Sequence, residues 1–138
     1  MLSTVEKVII LKSVSIFAAT PDDVLAEIAP LLEEVELETG QTIFEKGDMG
    51  SSLYVVIEGG VRIHAEGRTL RELGPRDIFG EMAALDPEPR SASVTATEST
   101  RLFRLEQEGL YDLMADRIEV VRGVIRVLCQ RLREAGPS

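Results

Sequence analysis

A chain of 138 residues, 44% apolar and 28% charged, reads as one globular domain with enough material for its own core. Its net charge of −9 and sequence pI near 4.7 argue against nucleic-acid binding, which needs clustered Lys and Arg to neutralise phosphate. The single cysteine, Cys129, excludes an internal disulfide and fits a reducing compartment. No apolar run approaches the roughly 20 residues of a membrane span and no cleavage pattern marks the N-terminus, so a cytoplasmic protein without membrane contact is expected.

The chain opens with a strongly apolar helical stretch, Thr4 to Lys12, followed by a turn-like link through Ala19 that holds Phe17. Thr20-Pro21-Asp22-Asp23 reads as a helix start, with Thr20 as cap, Pro21 in the first helical position and two aspartates at the positive end of the dipole. That helix should show Val24 or Leu25, Ile28, Leu31 and Leu32 on one face and end near Glu33. Nine acids fall between Asp22 and Asp48, a pattern that fits a solvated face.

From Glu34 the period becomes strand-like. Val35 and Leu37 alternate with Glu34, Glu36 and Glu38, Gly40 turns, and Thr42-Ile43-Phe44 follows. Glu45 to Gly50 is a turn cluster. Leu53 to Glu58 is β-rich, Gly59-Gly60 is a two-residue hairpin signal, and Val61 to Ala65 forms the return. Glu66-Gly67-Arg68 turns into Thr69 to Leu73, and Gly74-Pro75 punctuates. Further strands are predicted at about Ala92–Ala96 and Thr100–Leu105. Short strands separated by turn signals suggest an antiparallel sandwich or barrel.

After Leu105 the period is helical. Gln107 to Ala115 is one helix and Arg117 to Glu134 a longer one, stopped by Gly136-Pro137. In the second, Ile118, Val121, Ile125, Leu128 and Leu132 repeat as a heptad seam, with Val120, Val124 and Val127 as a second stripe. A helix apolar over so much of its circumference needs more than one neighbour. One stripe is expected to pack on the β-strands. The other is left for a second copy of the chain or for a bound ligand.

The chemistry concentrates in Phe79-Gly80-Glu81-Met82-Ala83-Ala84-Leu85-Asp86-Pro87-Glu88-Pro89-Arg90-Ser91-Ala92-Ser93-Val94. A strand beginning at Arg90 would put its side chain on the same apolar face as Ala92, Val94 and Ala96. A guanidinium stays charged when buried and must find an anion. Left to itself, a Glu81–Arg90 pair reads first as an internal ion pair closing a loop, since buried charges are usually paired for structural reasons.

Taken together, Gly40…Phe44-Glu45-Lys46-Gly47-Asp48, Leu53-Tyr54-Val55-Val56-Ile57-Glu58-Gly59, Phe79-Gly80-Glu81 and Pro89-Arg90-Ser91-Ala92 resemble the cyclic nucleotide-binding domain. That family includes catabolite-activator-type regulators, protein kinase regulatory subunits and cyclic nucleotide-gated channels. The resemblance implies a mainly β fold with flanking helices: an eight-stranded antiparallel jelly-roll barrel with N-terminal helices and two C-terminal helices. The implied layout is a helical lead-in over 1–33, a barrel over 34–106 with a phosphate-binding cassette at 79–94, and lid or dimerisation helices over 107–135. In this resemblance Glu81 would accept from a ribose 2′-hydroxyl and Arg90 would pair with a cyclic phosphate. Gly80, after Phe79, would let the backbone approach the sugar, and peptide N–H groups near Met82, Ala83 and Ala84 would face the phosphate. Ser91 or Ala92 would add a donor to the phosphate or meet the base edge. Val61, Ile63, Leu73 and Val94 would wall the purine, and Arg122, Arg126 and Cys129 of the last helix are candidate neighbours of the base.

The implied function is a non-enzymatic regulatory sensor for a cyclic purine nucleotide, cAMP ahead of cGMP, relayed through the C-terminal helices. The rival is a degenerate, non-binding member serving as a dimerisation or interaction module. Base preference stays open, because a Ser91 hydroxyl suits either a phosphate oxygen or a guanine amino group. Expected partners are the nucleotide, a second copy through Ile118, Val121, Ile125, Leu128 and Leu132, and a fused output domain absent from this chain. No cofactor or metal is expected: His64 is the sole histidine, read as solvent-facing, and neither a metal centre nor a Ser-His-Asp triad can be built around it.

Overall fold

The computed structural model describes residues 1–135, so the stop expected at Gly136-Pro137 lies outside the described residues. The described residues divide into two compact units, a helical one of residues 1–31 and 111–135, and a β unit of residues 32–110.

In the helical unit α1 spans Thr4–Lys12, as its apolar run predicts. Its start is a capping box: Glu6 N–H donates to the Ser3 hydroxyl at 3.2 Å, and Ser3 N–H donates to the Glu6 carboxylate at 3.0 Å. A 3-10 turn, Ser15–Phe17, then buries Ile16 and Phe17. Helix α2 is Asp22–Ile28, and here two expectations change. Pro21 is the cap residue, its carbonyl accepting from Val24 and Leu25 at 3.1 and 3.0 Å. Thr20 therefore lies outside capping reach. It is buried, and its hydroxyl has no hydrogen-bond partner among the described residues. The helix also stops early, because Pro30 lacks an N–H and its ring would meet the carbonyl four residues back. A 3-10 turn over Ala29–Leu31 replaces the last turn and leaves Leu31 exposed while Leu32 is buried.

Helix α4, Gln107–Asp116, takes the chain from the β unit to the helical unit, and α5 spans Ile118–Glu134. Arg117 caps α5 rather than starting it, and its guanidinium forks onto Glu27 at 2.6 and 3.1 Å. Of the two α5 stripes, Val120, Val124 and Val127 are buried along with Gly123. Gly123 rests on the Ile16 carbonyl so closely that any Cβ would overlap it. On the seam, Ile118, Ile125 and Leu132 are exposed at 61%, 53% and 72%, with Val121 and Leu128 half-buried.

The β unit has ten strands among the described residues, more than the eight expected: β1 Glu33–Leu37, β2 Thr42–Phe44, β3 Met49–Gly50, β4 Ser52–Glu58, β5 Val61–Ala65, β6 Arg68–Leu73, β7 Ile78–Phe79, β8 Glu88–Pro89, β9 Ser93–Ala96 and β10 Thr100–Glu106. They pair antiparallel into a sheet β1-β10-β4-β7, a sheet β2-β9-β5-β6 and a two-stranded ribbon β3-β8. The two extra strands are that ribbon, whose two-residue members have no readable alternation.

Gly59-Gly60 does not close a hairpin, because β4 and β5 belong to different sheets. The dipeptide is a crossover instead. Gly59 has φ +88°, and a Cβ there would strike the Thr100 main chain at 2.7 Å. The Thr100 hydroxyl accepts from Gly60 N–H at 3.1 Å and faces the Gly60 carbonyl at 3.0 Å, fixing where the chain changes sheet. A tight hairpin does form at Glu66 and Gly67, both with positive φ, between β5 and β6.

The core of this unit lies between the sheets. Leu37, Tyr54, Val56, Phe79 and Leu102 from one meet Val61, Leu73, Val94 and Ala96 from the other, with Val35, Ile43, Phe44 and Ile63 packed against them. Among the described residues no helix is long and apolar enough to cross a membrane.

Candidate functional site

Arg90 follows the β8 strand, and its peptide is held on both sides by the turn before β3. Its N–H donates to the Asp48 carbonyl at 2.7 Å, and its own carbonyl accepts from Gly47 N–H at 2.8 Å. Strand β9 begins only at Ser93, so strand alternation does not set the direction of Arg90. This peptide clamp does. The expected inward direction is nevertheless met, with the residue 8% exposed.

The guanidinium sits in a slot built mostly of backbone. It donates to the Ser52 carbonyl at 3.0 Å and to the Gly80 carbonyl at 3.3 Å, so its hydrogen bonds run to peptide oxygens. Its carbon lies 4.1 Å from the centroid of the Phe44 ring and 5.9 Å from that of Tyr54. On another side is Gly50, where an ideal Cβ would come within 2.8 Å of Arg90 Cδ and closer still to Nε. Burial pushes the Arg90 pKa down, an effect that Tyr54, Glu106, Asp48 and Glu81 partly oppose.

Gly80 meets two demands at once. It caps the short helix α3, Glu81–Leu85, with φ +78°, a left-handed conformation that glycine adopts without strain. A Cβ at this position would also lie 2.8 Å from Arg90 Nη1 and 2.9 Å from the Ser52 carbonyl. The Gly80 carbonyl is shared, accepting from Arg90 and from Ala84 N–H, each at 3.3 Å. Glu81, the first residue of α3, is 2% exposed, and its carboxylate stands at the positive end of the helix.

The other anticipated site residues separate into groups. Ala83 and Ala92 are buried, whereas Met82 is half-exposed and Ser91 is exposed. Phe79 stacks on Tyr54 with centroids 5.0 Å apart and planes at 11°, and both rings meet Phe44 at a tilt. Val61, Leu73, Val94 and Phe79 share the inter-sheet core, with Ile63 packed against it. The sequence reading missed Phe44, Gly50, Ser52 and Tyr54. A glycine at the end of the Asp48-Met49-Gly50 turn was the only legible signal, since Ser52 contributes a main-chain oxygen that any residue has.

His64 is half-buried and its Nε2 lies 2.8 Å from the Thr95 hydroxyl, so it is tied to the sheet rather than fully solvent-facing. Among the described residues no group of His, Cys, Asp and Glu is arranged to hold a metal. The planar Arg90 cation and the short helix start favour an anion, while the buried Glu81 carboxylate beside them is an acceptor suited to a hydroxyl donor, next to an apolar core.

The family described as the cyclic nucleotide-binding domain matches residues 34–117. The CRP-like cAMP-activated global transcriptional regulator of Mycobacterium tuberculosis is 34% identical over 129 residues, which cover 90% of this chain and 58% of that protein. The cyclic AMP receptor protein of Thermus thermophilus is 44% identical over 101 residues, 70% of this chain and 47% of that protein. The chain thus spans roughly half the length of these curated relatives. The crystal structure of the N-terminal domain of a transcriptional regulator from Streptomyces coelicolor A3(2) superposes with a TM-score of 0.81 at 35% identity, covering 91% of this chain and 92% of that one. With the match spanning the β unit and the Gly80-Glu81…Arg90 segment inside it, the chain belongs to the cyclic nucleotide-binding domain family.

Proposed function

We propose that this chain is a non-enzymatic regulatory sensor that binds a cyclic purine nucleotide, cAMP in preference to cGMP. The observation that carries this reading is Arg90: a buried guanidinium bonded to two main-chain carbonyls, on a residue whose own N–H and carbonyl are both held by backbone, beside Gly80 and Glu81. A cyclic phosphodiester has one negative charge and two unesterified oxygens, which suits one planar fork plus peptide donors of Met82 and Ala83 at the start of α3. Glu81 accepts from the ribose 2′-hydroxyl, and Ser91 or Ala92 meets the phosphate or the base edge. Val61, Ile63, Leu73 and Val94 supply apolar surface for the purine. The preference for cAMP is supported by the names of the two bacterial relatives, a cAMP-activated regulator and a cyclic AMP receptor protein. The two four-stranded sheets are the halves of the eight-stranded jelly roll in this reading.

The relay starts one peptide from the site. Ser52 accepts from Arg90 through its carbonyl, and the neighbouring Ser51 carbonyl accepts from the N–H of Gln107, the first residue of α4, at 2.9 Å. A phosphate that competes with the Ser52 carbonyl for the Arg90 guanidinium perturbs this β4 end, and α4 and α5 transmit the change to a fused output domain or a second copy. Calorimetric titration with cAMP and cGMP, alongside Arg90→Ala, tests the reading. Heat from the wild type that the substitution removes supports it; silence with both nucleotides at millimolar concentration sinks it.

The exposed seam of α5 favours a second reading that coexists with the first, a homodimer through Ile118, Val121, Ile125, Leu128 and Leu132. Light scattering is expected to give a dimeric mass for the wild type and half of it for Ile125→Glu. A wild-type monomer at tens of micromolar refutes the seam as an interface.

A further inference from the structure

We infer that Phe44, together with the missing side chain of Gly50, is a positioning element for nucleotide binding: the two form a slot that fixes the plane of the Arg90 guanidinium, so that phosphate affinity depends on an aromatic ring at position 44. The inference rests on the assignment of Arg90 as the phosphate ligand. An arginine side chain has several rotatable bonds, and ordering it on arrival of an anion costs entropy that reduces affinity. Here the ordering is built into the fold. Phe44 offers its ring face at 4.1 Å, a distance at which a guanidinium is held by the ring quadrupole as well as by dispersion. Gly50 leaves room for Arg90 Cδ, Nε and Cζ where any Cβ would stand. The two carbonyls of Ser52 and Gly80 then fix rotation within that plane.

The slot is rigid for reasons that can be traced. Phe44 ends β2, opposite Val94 of β9, and its ring is braced by those of Tyr54 and Phe79 at 5.9 and 6.1 Å. Gly50 is held in the ribbon opposite Glu88, two residues before Arg90 itself. The strand that presents the arginine and the strand that confines it are thus one hydrogen-bonded pair. A ring attracts a cation without neutralising it, so the charge stays available to a phosphate. A carboxylate in the same place would compete with the ligand.

The test is affinity for cAMP by calorimetry in Phe44→Leu, Phe44→Met, Phe44→Tyr and Gly50→Ala, with thermal melts to confirm folding. Removing the ring is expected to raise Kd about tenfold, the order set by a desolvated cation–π contact. Phe44→Tyr keeps the ring face and is expected to stay within about twofold of wild type, while Gly50→Ala weakens binding at least as much as Phe44→Leu. A merely structural role is separated by repeating the Phe44→Leu measurement in an Arg90→Ala background, with ligand-observed NMR at millimolar cAMP. There the ring has no guanidinium to position, and its loss is expected to change nothing further. Wild-type affinity retained by folded Phe44→Leu or Phe44→Met overturns the inference, as does an equal loss with and without Arg90. A wild type that binds neither cAMP nor cGMP overturns the assignment of Arg90 as well, and so is told apart from failure of the slot alone.

Discussion

Arg90 and Arg101 lie in the same β unit and hold the same group in opposite electrostatic settings. Arg101, on β10, crosses to Glu34 at 2.7 Å, Glu58 at 3.4 Å and Glu36 at 3.9 Å, tying β1 and β4 to the strand between them. Glu34 foremost, and then Glu58, raise its pKa. Arg90 is bonded to peptide oxygens and faced by rings, and burial lowers its pKa. The difference separates a charge bonded to carboxylates from one bonded to peptide oxygens. A charge bound directly by carboxylates closes a sheet, whereas one whose hydrogen bonds go to peptide oxygens, with carboxylates acting only from a distance, keeps its attraction for an incoming anion.

The largest expected effect contrasts the two directly. Arg90→Ala should weaken cAMP binding by at least about a hundredfold, as truncating one member of a buried charge pair does. Arg101→Ala should leave the affinity unchanged within about twofold, since its carboxylate partners all lie on the strands of its own sheet. Parallel titrations check this, and equal losses would dissolve the distinction. A smaller effect should appear in stability. Arg101→Ala is expected to cost about 1 kcal/mol and lower the melting temperature by roughly 4 °C, with the cost shrinking in 1 M salt. Melts at two salt concentrations measure it; a salt-independent loss would mean that packing of the side chain outweighs its charge. The smallest effect belongs to the exposed Lys46–Glu66 pair. Lys46 holds the Glu66 carboxyl below its usual range. A depressed folded-state pKa contributes stability above the unfolded value and loses it as pH falls through the folded one. Glu66→Gln should therefore be slightly less stable at neutral pH and equal to wild type in acid, as melts across that range would register.

Much of the fold was legible because its signals are local. The run Thr4–Lys12, the alternation over Val35 and Leu37 and the Glu66-Gly67 turn depend on neighbours a few residues away, and each element formed as expected. The departures came from longer-range causes. Gly59-Gly60 has hairpin chemistry, but Thr100, forty residues on, commits it to a crossover. Thr20 has capping chemistry, but the helix begins one residue later. The site divides the same way. Gly80, Glu81 and Arg90 stood out because charge and glycine in a short segment are unusual. Phe44 looked like another strand aromatic, and the ribbon β3-β8 is too short to show a period, so their meeting at Arg90 could not be read from the chain.

The slot around Arg90 is defined as much by absent atoms as by present ones, and this has a genetic consequence. Every missense change at a glycine codon adds at least a Cβ, so at positions 50 and 80 no replacement is neutral in shape. At Ser52 the contact is a peptide oxygen common to all residues, and small replacements leave it in place. Arg90 itself apart, mutational sensitivity along this segment should therefore peak at residues with no side chain to lose.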